Sequence, residues 1–343
     1  MKNKFKITLI FIIFLTITCV FFVKKSHYIN SSTNFVTLLK SDGNSTSLQI
    51  LDLNKNNIIY NNKIAKTSDI YYGQTSISKG VNITAIANKI GEYDIYNIDN
   101  KNINKLGSLP PGVFGVEYFN CNIYVLSYNL ASKDHTPSIK VYKNNDITHP
   151  LKTYELKGDI QDFEISKETG NCYAVSIDQG KTYLYSLINN TLKKEKIFNE
   201  QIASNISIKK DRLFISCGDK LIGDIKTSKD IKKISINKIY FKDIDKSPVP
   251  IISTSMAPYN MQIINNNLYV VTGINQSNIE VYDLKTNKLV FKQVLPTGPV
   301  YGMHSYNNKV YIFTQDNILV FNGTKSSQIY SITNNPIISM KVN

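Results

Sequence analysis

Few residues in this chain of 343 have types and spacing suited to chemistry. There are four histidines, His27, His135, His149 and His304. His135 and His149 flank one apolar segment and so fall at its opposite ends. Glu117, Glu164 and His304 instead occupy equivalent places in three apolar segments, and Gln74, Ser207, Gln262 and Lys341 hold that place in four others. Two carboxylates and an imidazole meeting at one point could hold a cation or serve as acid and base. Spread singly around a structure, the same groups hydrogen-bond their neighbours or channel water. Tyr72, Phe114, Tyr259 and Tyr301 recur just before this polar position. Aromatics there either receive a sugar or peptide or plug gaps between packed elements. A second acidic series, Asp42, Asp134, Asp178, Asp219 and Asp316, reads as turn residues or as a cation-binding mouth.

Other chemistries lack their residues. The sequence has no Gly-rich phosphate loop, no metalloprotease helix and no Ser or Cys placed beside a base. Of the four cysteines, Cys19 lies in an N-terminal apolar run, leaving Cys121, Cys172 and Cys217. An odd number without Cys-x-x-Cys gives neither a disulfide framework nor a zinc motif. No cofactor is expected. Only Arg212 is an arginine, so the positive charge is a diffuse lysine field rather than a set of forked anion sites.

The elements that must position these residues repeat. Apolar strands begin at 35 ("FVTLLK"), 81 ("VNITAIA"), 122 ("NIYVLSY"), 172 ("CYAVSI"), 212 ("RLFISC"), 268 ("LYVVTG") and 310 ("VYIFTQ"), about 40 to 55 residues apart. That interval is the spacing of propeller blades. Each strand is preceded by one strand and followed by a second and usually a third, with no convincing helix. Four short antiparallel strands per unit predict an all-β, seven-bladed β-propeller. The final segment, "PIISMKVN", matches a first strand with no second after it, and "FVTLLK" matches a second strand with no first. The C-terminal strand is therefore expected to complete the N-terminal blade.

The stretch 269–290, "YVVTGINQSNIEVYDLKTNKLV", resembles the YVTN-repeat family of bacterial and archaeal propellers. "LPTGPVYGMHSYNNKVY" and "LPPGVFGVEYFNCNIYV" resemble that family's passage from one blade to the next. The resemblance covers two or three blades and is degenerate elsewhere, above all at 203–255. It implies an exported seven-bladed ring with no single activity, similar in fold to lactonases and amine-dehydrogenase heavy chains. The absence of Trp weighs against quinone-cofactor and WD-type propellers.

Ile7–Val23 is apolar and free of charge, with Lys2, Lys4 and Lys6 before it and Lys24 and Lys25 after it. No small-residue cleavage site follows. This predicts a single transmembrane signal anchor over 1–25, a stalk over 26–33 and a propeller over 34–343, the last outside the cytoplasm. Cys19 lacks the neighbours of a lipid-attachment site. The first 25 residues hold five lysines and no acid, which leaves 35 positive against 26 negative residues in the remainder. Such a body is attracted to anionic surfaces, though lysines also simply solvate a surface. The expected function is a monomeric binding or scaffold module for a cell-envelope protein or an anionic wall polymer, with no role for nucleic acid. Glu117, Glu164, Gln262, His304, Tyr259 and Tyr301 are its candidate ligand-binding residues, around the axial channel. The alternative is a lactonase-like hydrolase acting at the axial mouth.

Overall fold

The computed structural model describes residues 35–343 except 42–44, 53–54, 56, 66–75, 78–82, 88–91, 100–101, 131–134, 200, 211, 225–228, 244, 274–275, 296–299, 307, 315–316, 324, 332–336 and 343. Its strands in chain order are β1 (Phe35–Ser41), β2 (Thr46–Asp52), β3 (Asn57–Ala65), β4 (Ser76–Ile77), β5 (Ile83–Ala87), β6 (Tyr93–Asp99), β7 (Asn102–Leu109), β8 (Val113–Phe119), β9 (Asn122–Tyr128), β10 (Pro137–Lys143), β11 (Lys152–Glu155), β12 (Asp159–Ile165), β13 (Cys172–Asp178) and β14 (Lys181–Ile188). There follow β15 (Thr191–Phe198), β16 (Gln201–Lys209), β17 (Arg212–Asp224), β18 (Lys229–Lys242), β19 (Val249–Ser253), β20 (Pro258–Ile264), β21 (Asn267–Thr272), β22 (Asn278–Asp283), β23 (Lys288–Val294), β24 (Val300–Tyr306), β25 (Lys309–Thr314), β26 (Asn317–Asn322), β27 (Lys325–Ser331) and β28 (Ile337–Val342).

They form four-stranded antiparallel sheets: β28-β1-β2-β3, then β4 to β7, β8 to β11, β12 to β15, β16 to β19, β20 to β23 and β24 to β27. These are called the first to seventh sheets below. Strand position decides burial. The middle strands read as continuous apolar runs and are buried on both faces, as in β13 and β22. The outer strands face solvent and carry lysine, as in β15 with Lys193, Lys194 and Lys196, which blunts an open edge against further pairing. Asn supplies most of the non-glycine left-handed positions, including the consecutive Asn189 and Asn190.

The expectation of seven equal blades behind a transmembrane helix needs two corrections. Six sheets are complete blades, with inner strands of six to nine residues. The second sheet has only Ser76–Ile77 in that place, so the described residues form six complete blades rather than seven. The physical reason is the length of its ladder: β4 pairs with β5 only with Ser76 opposite Ala85 and Ile77 opposite Thr84. Secondly, the described residues contain no helix, and none long and apolar enough to cross a membrane. The run Ile7–Val23 lies outside the described residues, as do Tyr72, Gln74, Asp42, Asp134 and Asp316.

β28 pairs antiparallel with β1, Val36 opposite Val342 and Leu38 opposite Met340. The last strand of the chain thus completes the first sheet. Inner strands touch in succession, from β4 to β8, β12, β16, β20, β24, β28 and back to β4. The core is accordingly divided among the seams between sheets. One cluster joins the second and third sheets through Ile95, Val116 and Tyr142. Others lie between the third and fourth, fourth and fifth, fifth and sixth and sixth and seventh. Gly302 is required at one close approach, because a β-carbon there would overlap the Phe313 ring.

Buried polar groups stitch the seams. Asp162 Oδ2 on β12 accepts from Asn205 Nδ2 at 2.6 Å and from the Ile206 amide at 2.8 Å on β16. Ser204 Oγ donates to the Pro258 carbonyl at 2.8 Å. A tyrosine of the third strand repeats as a latch onto main chain at or just past the preceding sheet. Tyr96 OH donates to Ile64 O at 3.3 Å, and Tyr185 OH accepts from the Lys157 amide at 2.9 Å. Tyr282 OH lies 2.5 Å from Glu280 Oε2 and 3.3 Å from Ser253 O. Burial and then the Glu280 carboxylate push the Tyr282 phenol well up, so it stays a donor. In the third sheet the equivalent Tyr142 makes no hydrogen bond among the described residues. Lys242 is fully buried; its Nζ meets Glu195 of the fourth sheet at 3.0–3.1 Å and the Lys246 carbonyl at 2.7 Å.

Three outcomes follow from these seams. Deleting 336–343 removes β28 and is expected to abolish the cooperative melting transition, whereas deleting 26–33 leaves it in place; calorimetry of the two truncated chains checks this. Tyr282→Phe is expected to cost about 1–3 kcal/mol by leaving buried acceptors short of a donor, and Tyr142→Phe close to nothing. Urea midpoints at unchanged slope measure that contrast. Glu195→Ala removes the carboxylate from the buried Lys242 ammonium, which keeps the Lys246 carbonyl, and should cost a similar ~1–3 kcal/mol, below the range for a wholly buried pair because Glu195 is half exposed.

Candidate functional site

Five of the aligned axial positions share one register. Glu117 lies opposite Tyr124, Glu164 opposite Tyr173, Ser207 opposite Phe214, Gln262 opposite Tyr269 and His304 opposite Tyr311. Each inner strand therefore presents its polar residue beside an aromatic of the second strand. Glu117 is buried and lies near Cys172 of the next sheet, whose thiol is pushed up first by burial and then by the Glu117 charge. Gln262 Oε1 accepts from Ser305 Oγ at 3.3 Å on the following inner strand. The His304 ring lies parallel to Phe313, with centroids 6.5 Å apart. Tyr259 OH lies 2.7 Å from Ser277 Oγ and accepts from the Val300 amide of the seventh sheet at 3.2 Å. Burial raises its pKa. The side chain of Tyr301 is outside the described set.

These residues are thus placed in a ring of seams, one per sheet, and several already hydrogen-bond across them. Among the described residues no three His, Cys, Asp or Glu side chains form a group that could hold a metal ion. Glu117, Glu164 and His304 do not converge.

A different site is built between the second and third sheets. The links between sheets and the turns from second to third strands lie on one face of the ring, here called the upper face. The turns from first to second and third to fourth strands lie on the lower face. On the upper face a cleft of about 540 Å³ opens between Leu109, Pro110 and Pro111 on one side and β9, β10 and β11 on the other, a volume within the range of ligand pockets. Val113, Val125, Tyr128 and Leu130 form apolar wall and lip. Phe114 and Leu130 are exposed large apolar residues beside the mouth, and Phe114 meets Tyr128 edge to face at 6.1 Å.

The interior of the cleft is polar. Ser127 and Ser138 are buried, each 6% exposed, and Ser127 Oγ has no hydrogen-bond partner among the described residues. Lys140 and Glu155 also line it. Lys140 stands where the second, fourth and sixth sheets carry Asp94, Tyr183 and Glu280, two residues before the latch tyrosine; the fifth sheet likewise has a lysine, Lys238, two residues before Tyr240. Those three are engaged by an outer-strand lysine: Lys105 reaches Asp94 at 2.9 Å, Lys292 reaches Glu280 at 3.4 Å, and Lys194 lies 3.8 Å from the centre of the Tyr183 ring. In the third sheet the lysine is on the third strand, and Thr153 faces it from the outer strand. The charge pattern is inverted and the tyrosine latch is missing, beside a seam that Ile95, Val116 and Tyr142 still pack. Sequence reasoning passed over this site. Lys-x-Tyr at 140–142 differs from Asp-x-Tyr and Glu-x-Tyr in the second and sixth units, but it recurs at 238–240, so this motif alone does not mark the site.

No protein-family model matches the chain, and no curated protein does. Solved structures do resemble it. A functionally unknown protein from Desulfotomaculum acetoxidans superposes with TM-score 0.59 at 11% identity, covering 90% of this chain and 99% of that one. A protein from Lactobacillus plantarum does so with TM-score 0.57 at 13% identity, covering 91% and 99%. The WD40 β-propeller domain of Doa1 gives TM-score 0.58 at 9% identity, covering 84% and 88%. At such identities the likeness speaks for the fold alone, so the YVTN-repeat resemblance is supported as far as a propeller and no further. By sheet arrangement and by structural likeness, the chain is a β-propeller.

Proposed function

We propose that this chain is a binding module, tethered outside the cytoplasm by residues 1–25, whose upper cleft receives an extended segment of a cell-envelope protein. The observation that carries the reading is the apolar-lipped cleft with Lys140 and the buried Ser127 hydroxyl inside it; the hydroxyls of Ser176 and Thr272 also lack a partner among the described residues, so the cleft rather than the hydroxyl marks the place. A buried polar group of this kind calls for a ligand or water. The apolar lip of Phe114, Leu130 and Tyr128 suits an apolar side chain, Ser127 and Ser138 suit main-chain groups, and Lys140 suits one carboxylate. Glu155, exposed at the rim, opposes a dense polyanion, which favours a protein segment over an anionic wall polymer at this place. The propeller acts as a monomer, and 26–33 is the stalk that joins it to the anchor.

The test uses a photo-crosslinking amino acid at Leu130 of the full chain in intact cells. One envelope protein should be captured. Capture should fall about tenfold or more with Phe114→Ala or Lys140→Gln, the scale of a truncated interface anchor, and persist with Glu117→Gln combined with Glu164→Gln. The same crosslinker at Lys285, on the lower face, should not capture that protein. Capture indifferent to Phe114 and Lys140, or equal from both faces, sinks the cleft as the docking place. Cell fractionation checks the tether: the chain is expected in the membrane with its first 25 residues retained, and a mature chain beginning within 26–32 removes the anchor.

A further inference from the structure

The lower face carries a second cleft, of about 360 Å³, between the fifth and sixth sheets. Lys209, Lys210, Arg212 and Lys285 line it around a base of Phe214, Phe241, Ile251 and Leu284. No acidic residue is among the described residues that line it. The only arginine of the chain is therefore placed among three lysines, which a randomly distributed lysine surface would not require. The Arg212 guanidinium lies 6.0 Å from the centre of the Phe241 ring, and its ion pair with Asp243 runs through Nε at 3.7 Å. Lys209 Nζ donates to the Asn265 carbonyl of the next sheet. Of the nearby acids, Asp283 has one oxygen committed to its own turn, accepting from the Lys285 and Thr286 amides at 2.8 and 2.9 Å, and Asp211 is outside the described residues. A rigid guanidinium with several ammonium groups over an aromatic base is a site for anions.

The path of the chain says which anion faces it. β1 stands second in its sheet, as β17 and β21 do in theirs. Those strands start from the turns at Lys210 and Asn266 that line this cleft, so Phe35 also starts on the lower face. Only residues 26–34 separate it from Lys25, a length that spans at most about 30 Å when fully extended. On the anchor reading above, on which this inference rests, the lower face is held against the bilayer and the upper cleft points away from it. We infer that the lower basic cleft docks on anionic phospholipid headgroups, fixing the propeller with its lower face to the membrane.

Because the chain has no Trp, a single indole reports its own position. Asn266→Trp in the lower cleft and Leu130→Trp on the upper face are made in the full chain, reconstituted into phosphatidylcholine vesicles with or without phosphatidylglycerol, and quenched by lipid carrying a nitroxide headgroup. Quenching of Asn266→Trp should rise at least about twofold with the anionic lipid. It should return to the neutral-lipid level at high salt or with Arg212→Gln and Lys285→Gln together, while Leu130→Trp stays unquenched throughout. Equal quenching at the two positions, or no response to the paired charge removal, in a protein that floats with the vesicles overturns the docking and leaves the anchor standing. Failure to float with neutral vesicles defeats the anchor, and this inference with it.

Discussion

The structure depends on one constraint: a four-stranded sheet of this width cannot bury both its faces alone. The middle strands are apolar on both sides, so each sheet is stable only when a neighbour covers each face. A row of such sheets always leaves two faces bare until its ends meet. The β1–β28 pairing answers this by bringing Val36 and Val342 together across the whole chain. Contacts at so large a separation in sequence carry a large loop-closure cost and are repaid only when the ring is complete. The seam clusters, the tyrosine latches and the Asp162 bridge to Asn205 and Ile206 all presuppose it.

Within the ring, polar groups decide how firmly each seam shuts. Where an outer-strand lysine meets an acid or an aromatic of the third strand, the following tyrosine reaches the preceding sheet, as at Tyr96, Tyr185 and Tyr282. At Lys140 that arrangement is reversed, Tyr142 makes no hydrogen bond among the described residues, and a cleft lies beside the packed seam.

Much of the fold was legible in the sequence because its signals are local and repeated. Strand periodicity, the Asn turns and the unmatched first and last strands gave the propeller and its closure. The count of seven full blades did not survive, because the second unit keeps the spacing of the others while its inner strand pairs only at Ser76 and Ile77, and spacing does not reveal how far a strand pairs. The axial residues were aligned correctly as a register, Glu117 to His304 each opposite an aromatic. Alignment along strands does not say whether side chains on different sheets converge, and those of Glu117, Glu164 and His304 do not. The upper cleft was hidden for a related reason. It arises from residues distant in sequence, Leu109 to Val113 against Ser127, Ser138 and Lys140, and from a hydrogen bond that is not made.

In a body built from equivalent wedges, function belongs to the places where the wedges differ. Residues that repeat are constrained by a seam that every sheet must make. A residue that breaks the pattern is released from that duty. Lys140 in place of an acid and Arg212 as the single arginine are two such breaks, and they fall on opposite faces. An upper opening with an apolar lip and one cation suits a segment of protein. A lower opening ringed by cations suits a charged surface. The chain enters the ring from the lower side, so the two openings are not interchangeable. If residues 1–25 hold the protein to a bilayer, the strand order alone determines which opening meets the lipid and which is left to meet a partner.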